Sequence, residues 1–447
     1  NKMASLPRAA LDKGVIASSA GNHAQGVALS ARKLGCHATI VMPVTTPRIK
    51  IESVKNLGAR VKLVGDSYDE AWQHARELCE KENRTFIHPY DDPEVIAGQG
   101  TIGFEILKQH PHRLDAIFIP VGGGGLIAGI AAYVKQIRPE VRIIGVEPEE
   151  ADAMRRSLAA GRRLKLKDVG LFADGVAVKQ VGKESFRLCR KLVDDIVLAS
   201  TDQICAAIKY TFEEPRTVME PAGARAVAGV KRWIEQHGIR GEHYVAIASG
   251  ANINFDRLRH VSERAEIGER REAVMAVTIP ERPGSFRGFC GVIGNRNISE
   301  FNYRYADPAN AHIFVGVQVH DSDEVERLFT KLRKKGYDPV DLTDNEIAKI
   351  HGRHMVGGHA PLLKNERIFS FEFPERPGAL RGFLDRIGGV WNISLFHYRN
   401  HGSDYGRVLC GVQVPREDRK AFREFLNDLG YRYTEETDNP VYQLFLA

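Results

Sequence analysis

No run of about 18 consecutive apolar residues occurs among the 447 residues, so nothing in the sequence reads as a membrane-spanning helix. Cysteine is scarce. Cys36, Cys79, Cys189, Cys205, Cys290 and Cys410 stand too far apart for a zinc-type pair or a disulfide framework, which points to a reducing compartment and a cytoplasmic protein. An excess of one charge is lacking too. Lys and Arg total 63 against 57 Asp and Glu, a formal +6, and the two signs interleave without a basic stripe suited to nucleic acid. No metal is expected. The start, Asn1-Lys2-Met3, has no signal peptide and no initiator methionine, so the expectation is a piece of a longer protein.

What is present is enough for two or three domains. The first half alternates short apolar runs with helical patterns. Gly14–Ala17, Ala38–Val41, Val61–Val64, Ala116–Val121, Ile143–Val146 and Val245–Ala248 read as buried parallel strands. The expected fold is α/β, an open, mostly parallel sheet with ligands at the carboxyl ends of its strands. This catalytic part is expected over residues 1–255. The Arg/Glu-rich stretch Phe255–Glu272 reads as a solvated connector, over residues 256–272.

The second half repeats itself. Pro280-Glu281-Arg282-Pro283-Gly284 recurs as Pro374-Glu375-Arg376-Pro377-Gly378, and Arg287-Gly288-Phe289 as Arg381-Gly382-Phe383. Asn297-Ile298-Ser299 returns as Asn392-Ile393-Ser394, and Gly316-Val317-Gln318-Val319 as Gly411-Val412-Gln413-Val414. Each copy reads as a strand (Val274–Ile279; Ile368–Phe373), then a helix whose apolar residues have i, i+3, i+4, i+7 spacing: Phe286, Phe289, Cys290, Ile293, and Leu380, Phe383, Leu384, Ile387. Alternating strands follow (Ile313, Val315, Val317, Val319; Val408, Cys410, Val412, Val414). A second helix is expected to bury Val325, Leu328, Phe329 and Leu332, matched by Phe422, Phe425, Leu426 and Leu429. The order βαββα, closed by a short strand, is the α+β ferredoxin-like arrangement and resembles the ACT family of amino-acid-sensing modules. The copies are expected over residues 273–349 and 367–447. Oligomer contacts are an alternative role for them.

Three segments of the first half carry chemistry. Ser18-Ser19-Ala20-Gly21-Asn22-His23-Ala24-Gln25-Gly26 follows a strand and opens a helix. Its small residues admit a ligand to the backbone, and the helix start suits a carboxylate. An ordinary Ser/Asn cap is the alternative. Gly122-Gly123-Gly124-Gly125-Leu126 lies between a strand and an apolar helix, a phosphate cradle of converging N–H groups. It is neither a dinucleotide fingerprint nor a P-loop. Ser249-Gly250-Ala251-Asn252 ends the strand Val245–Ala248 and offers a hydroxyl to the same crevice.

In this order the three segments resemble the fold type II pyridoxal-phosphate enzymes, and most of all the long, feedback-regulated threonine deaminases. Phe172-Ala173-Asp174-Gly175-Val176-Ala177-Val178, Glu220-Pro221-Ala222-Gly223-Ala224 and the double tail add to the resemblance. It implies pyridoxal 5'-phosphate as cofactor. Asn22 would contact the ring 3'-oxygen, Gly122, Gly123, Gly124, Gly125 and Leu126 the phosphate, and Ser249 the ring nitrogen. Ser19, Gly21 and His23 would help hold the substrate carboxylate. The implied reaction converts L-threonine to 2-oxobutanoate and ammonia, the first step of isoleucine biosynthesis. Isoleucine and valine would be effectors, and the assembly a homotetramer. A catalytically dead amino-acid sensor and a serine-directed lyase of the same fold are the alternatives.

The sequence departs from the family at one point. The Ser-Phe-Lys-x-Arg-Gly-Ala-type motif with the Schiff-base lysine is not in the chain. Lys2 is expected seven residues beyond that lysine, about 10 Å along a helix at 1.5 Å per residue, and so not to replace it.

Overall fold

The computed structural model describes residues 1–46, 48–65, 68–167, 169, 178–253, 255, 257–305, 308–345, 348, 358–360, 362–374, 379–387, 390–399, 405–439, 442 and 446. Phe172–Ala177 and Glu375–Gly378, both singled out above, lie outside the described residues. Two compact units divide the chain, Asn1–Ala265 and Glu266–Ala447.

The first unit runs α1 (Arg8–Lys13), β1 (Val15–Ser18), α2 (Asn22–Leu34), β2 (Ala38–Met42), α3 (Arg48–Asn56), β3 (Arg60–Leu63), α4 (Tyr68–Glu82), β4 (Thr85–Phe86) and α5 (Pro93–Gln109). It continues through β5 (Ala116–Pro120), α6 (Gly125–Ile137), β6 (Arg142–Pro148), α7 (Ala153–Ala159), α8 (Lys183–Leu192), β7 (Asp195–Ala199), α9 (Thr201–Glu213), α10 (Pro221–His237) and β8 (Tyr244–Ala246), and α11 (Arg257–Gly268) runs out of it. The one open sheet expected is two four-stranded sheets, ordered β3-β2-β1-β4 and β7-β6-β5-β8. Every pairing in them is parallel. β1, β2 and β5 are buried along their whole length, which is why they read as unbroken apolar runs rather than alternating ones.

Residues 257–268 correct the expected solvated connector. They form α11, whose Val261 and Ala265 are buried in the core beside β5 and β6. Arg264 is itself buried and paired with Asp202 on α9 at 2.5 Å. The apolar stripe is narrow, and a charge buried with a distant partner looks solvated in sequence.

The second unit holds both repeats. The first is β9 (Glu272–Pro280), α12 (Ser285–Ile293), β10 (Ile298–Arg304), β11 (Asn310–Gln318), α13 (Ser322–Lys334) and β12 (Pro339–Asp341). The second is β13 (Glu366–Pro374), α14 (Ala379–Ile387), β14 (Asn392–Arg399), β15 (Tyr405–Gln413), α15 (Arg419–Leu429) and β16 (Arg432–Glu435). They share one eight-stranded sheet, ordered β12-β9-β11-β10-β14-β15-β13-β16. The seam is antiparallel β10 on β14, where Asn302 faces His397, its own counterpart in the repeat. Phe301 faces Tyr398 and Tyr303 faces Phe396, so a local two-fold axis passes through the seam. The apolar helix positions of both repeats fall in a single core, in which Phe289, Phe301, Phe383 and Phe396 are fully buried. Each such side chain contributes about 1.5–3 kcal/mol by leaving water. A buried ion pair stitches the copies together. Arg304 on β10 meets Glu366 on β13 at 2.5 Å, and Glu366 also accepts from Ser394 Oγ and, at 2.7 Å, from the Tyr442 hydroxyl.

Candidate active site

β1 is followed by Ser19, whose Oγ accepts from the Gly21 N–H at 3.2 Å and so closes the turn into α2. Gly21 caps α2 with extended backbone and no side-chain bond, so the first-turn N–H groups form a helix N-terminus with positive partial charge. Asn22 opens the helix. The His23 ring turns to the backbone instead, its Nε2 donating to the Ile87 carbonyl at 3.0 Å. Burial pushes this imidazole down to about 4, so it is neutral. The His23 ring is thus committed to the Ile87 carbonyl, with its main-chain N–H in the first turn of α2.

The second segment leaves β5 at Val121 and enters α6 at Gly125. Gly124 has φ +93°, and a Cβ there would meet Met154 Cε at 2.5 Å. A Cβ on Gly123 would fall inside the Tyr90 ring, and one on Gly125 would meet the Tyr90 carbonyl at 2.8 Å. Glycine is demanded by close approach here. The loop is braced from α8: Ser185 Oγ and the Gly182 N–H donate to the Gly123 carbonyl at 2.8 and 3.1 Å. Asp91 in turn caps α8, accepting from the Lys183 and Glu184 N–H groups at 2.7 Å each.

The third segment follows β8, with Ser249 exposed. Here α10 draws the pieces together. Glu220, its N-cap residue, takes the Asn22 amide on Oε1 at 2.6 Å and donates its own N–H to the Gly250 carbonyl at 3.0 Å. A Cβ on Gly223 would meet the Gly250 carbonyl at 2.4 Å, and one on Gly250 would overlap the Glu220 carboxylate. One turn on, Arg225 Nη1 donates to the Val121 carbonyl at 2.9 Å, immediately before the glycine loop. The first turns of α10 thus touch all three segments. Sequence reasoning quoted Glu220 only as part of a resemblance and missed Arg225. The available signal was a lone arginine inside the Ala/Gly-rich, buried first turns of the helix.

The surroundings fit a flat phosphorylated ring. Three buried polar atoms beside these segments, Ser18 Oγ, Arg225 Nη2 and Asn252 Nδ2, have no protein partner. Lys2 is engaged elsewhere, its Nζ paired with Asp92 at 2.9 Å while Asp92 caps α5.

Residues 1–250 match the family model described as pyridoxal-phosphate dependent enzyme, and residues 263–351 and 358–446 match the C-terminal regulatory domain of threonine dehydratase. The chain belongs to the pyridoxal-phosphate-dependent threonine dehydratases. It is 55% identical to the biosynthetic L-threonine dehydratase of Burkholderia multivorans over all of this chain and 89% of that protein. Against the Escherichia coli biosynthetic enzyme it is 51% identical, again over all of this chain and over 86% of the relative. Among solved structures, threonine deaminase isoform 2 of Solanum lycopersicum in its processed form superposes with a TM-score of 0.59 at 54% identity, covering 60% of this chain and 73% of that one. As a member of this family the chain depends on pyridoxal phosphate, and its doubled C-terminal unit is a regulatory one.

That unit has a shallow cleft of its own, open to solvent, at the Pro280–Gly284 turn where the two repeats meet. Glu281 sits in it, accepting from the Tyr303 hydroxyl and, at 3.1 Å, from the Asn392 amide of the other repeat. Burial and the Glu281 carboxylate push the Tyr303 phenol far up, so it stays a donor. The N-terminus of α12, capped by Gly284, and the side chains of Phe286, Ile387, Trp391 and Ile393 complete the lining.

Proposed function

We propose that the protein dehydrates and deaminates L-threonine to 2-oxobutanoate and ammonia, the first step of isoleucine biosynthesis, under feedback control by isoleucine, with valine as a second effector. The observation that carries this is the meeting of Asn22, the Gly122–Leu126 loop and the Ser249–Gly250 turn on the first turns of α10.

Bound pyridoxal phosphate supplies the electron sink for loss of the Cα proton and the β-hydroxyl. The chain's own residues bind and orient. In this assignment the N–H groups of Gly122, Gly123, Gly124, Gly125 and Leu126 hold the phosphate, and the Asn22 amide, which has a second N–H to give beyond the one on Glu220, holds the 3'-oxygen. Ser249 presents a neutral hydroxyl to the ring nitrogen, which favours elimination over transamination. Ser19, Gly21 and the His23 N–H take the substrate carboxylate at the start of α2.

In the regulatory unit, Glu281 suits an ammonium group, the start of α12 a carboxylate, and the apolar wall a branched side chain. The cytoplasm is the proposed location and a homotetramer the proposed assembly. Exposed Phe104 and Ile137 on α5 and α6, and Tyr210 and Phe212 on α9, supply apolar surface for it.

The test is 2-oxobutanoate formation from L-threonine by the purified protein, with and without isoleucine. Product formation that isoleucine suppresses, and that Glu281→Gln frees from suppression, supports the proposal. Isoleucine binding without product would make the protein a sensor, and turnover of serine alone a serine-directed lyase.

A further inference from the structure

Arg225 is the largest fully buried side chain among the described residues, with none of its surface exposed. Its Nε donates to the Ala222 carbonyl at 3.2 Å and its Nη1 to the Val121 carbonyl at 2.9 Å, while Nη2 has no protein partner. A buried cation demands compensation. Glu147 and Glu220 are the carboxylates whose charges act on it, and both are engaged elsewhere. The Glu147 oxygens accept from the Met154 and Arg155 N–H groups at 2.8 Å, and Glu220 Oε1 accepts from Asn22. Desolvation accordingly pulls the guanidinium down to about 10, which still leaves it charged at neutral pH. A fold that needed only a filler at this point of α10 would be served by leucine.

The use of this charge follows from one peptide group. The Val121–Gly122 peptide is trans, so its C=O and N–H point in opposite directions. The Val121 N–H is fixed on the Val146 carbonyl at 2.9 Å, and its C=O is fixed on Arg225. The N–H of Gly122 is thereby aimed away from Arg225. A cation on the carbonyl also polarises the peptide and makes that N–H a stronger donor.

We propose that Arg225 is a positioning residue for the anion cradle: through the Val121 carbonyl it orients and strengthens the Gly122 N–H, and its charge holds the loop ready for a phosphate dianion. This rests on the assignment of Gly122–Leu126 as the phosphate-binding loop.

The experiment compares wild type, Arg225→Gln and Arg225→Lys as full chains, with pyridoxamine 5'-phosphate and with pyridoxamine as probes, by isothermal titration calorimetry. Neither probe needs a lysine. Arg225→Gln, neutral but able to donate, is expected to weaken the phosphorylated probe by at least about tenfold and to leave pyridoxamine unchanged. Arg225→Lys is expected to stay within about threefold of wild type for both. Equal affinity of wild type and Arg225→Gln for the phosphorylated probe, or equal loss for both probes, overturns the inference while leaving the cradle standing. A wild type that binds both probes alike overturns the cradle and the inference with it. A measurement on wild type alone covers a Gln variant that does not fold. The ³¹P resonance of bound pyridoxamine 5'-phosphate should keep its dianion form to lower pH than the free compound, and titration at the free value would contradict the proposal.

Discussion

Asn22 and Glu220 stand 198 residues apart in the chain, yet the amide of one donates to the carboxylate of the other at 2.6 Å. The bond ties the start of α2, in the unit's first sheet layer, to the N-cap of α10, which packs on the second. Gly250 lies in the same contact, where an added Cβ would overlap the Glu220 carboxylate. A bond to a charged acceptor contributes about 1.5–3 kcal/mol. Asn22→Ala is therefore expected to lower affinity for pyridoxal phosphate by about tenfold or more. Asn22→Asp should do worse near neutral pH, because two carboxylates then face each other, and should recover in part as the pH falls. Absorbance titration with the cofactor measures both.

The glycine loop gives a stability prediction. Gly124 and Gly161 both have positive φ, +93° and +65°, but only Gly124 has neighbours where a Cβ would go. Gly161→Ala should cost about 1–2 kcal/mol from backbone strain alone. Gly124→Ala adds the clash with Met154 and Ser185 and should melt at a clearly lower temperature. Calorimetry of the two variants side by side checks the order.

His23 makes stability depend on pH. Its folded value, about 4, lies below the ordinary 6.5. The unfolded chain therefore binds the proton first, and stability that is complete above pH 6.5 is lost as the pH falls toward 4. His23→Gln should remove this loss on acidification, as read from denaturant melts at a series of pH values.

Glu147 has the opposite sign. Burial raises its carboxyl from 4.5 to about 7, against the two N–H groups that favour its anion. The folded state then binds the proton first, so stability contributed by this group is complete below pH 4.5 and declines until about pH 7, by a few kcal/mol at most. Glu147→Gln should remove the decline while weakening the cap on α7. Between pH 4.5 and 6.5 the two residues oppose each other, so wild type should look flatter there than either variant.

Much of this was legible in sequence where local pattern decides. Unbroken apolar runs located β1, β2, β5 and β6, and the repeat located both copies of the regulatory fold, down to which face of α12 and α14 is buried. β4 was not legible because two residues carry no period, and β7 was not singled out although it is a short apolar run of the same kind. The division into two parallel sheets depends on which strands neighbour one another, which no local pattern states. Arg264 read as a solvated charge and Arg225 drew no reading, because their partners, Asp202 and the Val121 carbonyl, lie far away in sequence. The cleft at Glu281 exists only because β10 pairs with β14, bringing Asn392 of one copy to Glu281 of the other.

The central claim is that three separate segments close on one phosphorylated ring at the start of α10. The most direct test is a crystal structure of the protein with pyridoxal 5'-phosphate. The account predicts the phosphate on the N–H groups of Gly122–Leu126, with Asn22 at the 3'-oxygen and Ser249 at the ring nitrogen. A phosphate bound away from the glycine loop, or a ring out of reach of both Asn22 and Ser249, would contradict it.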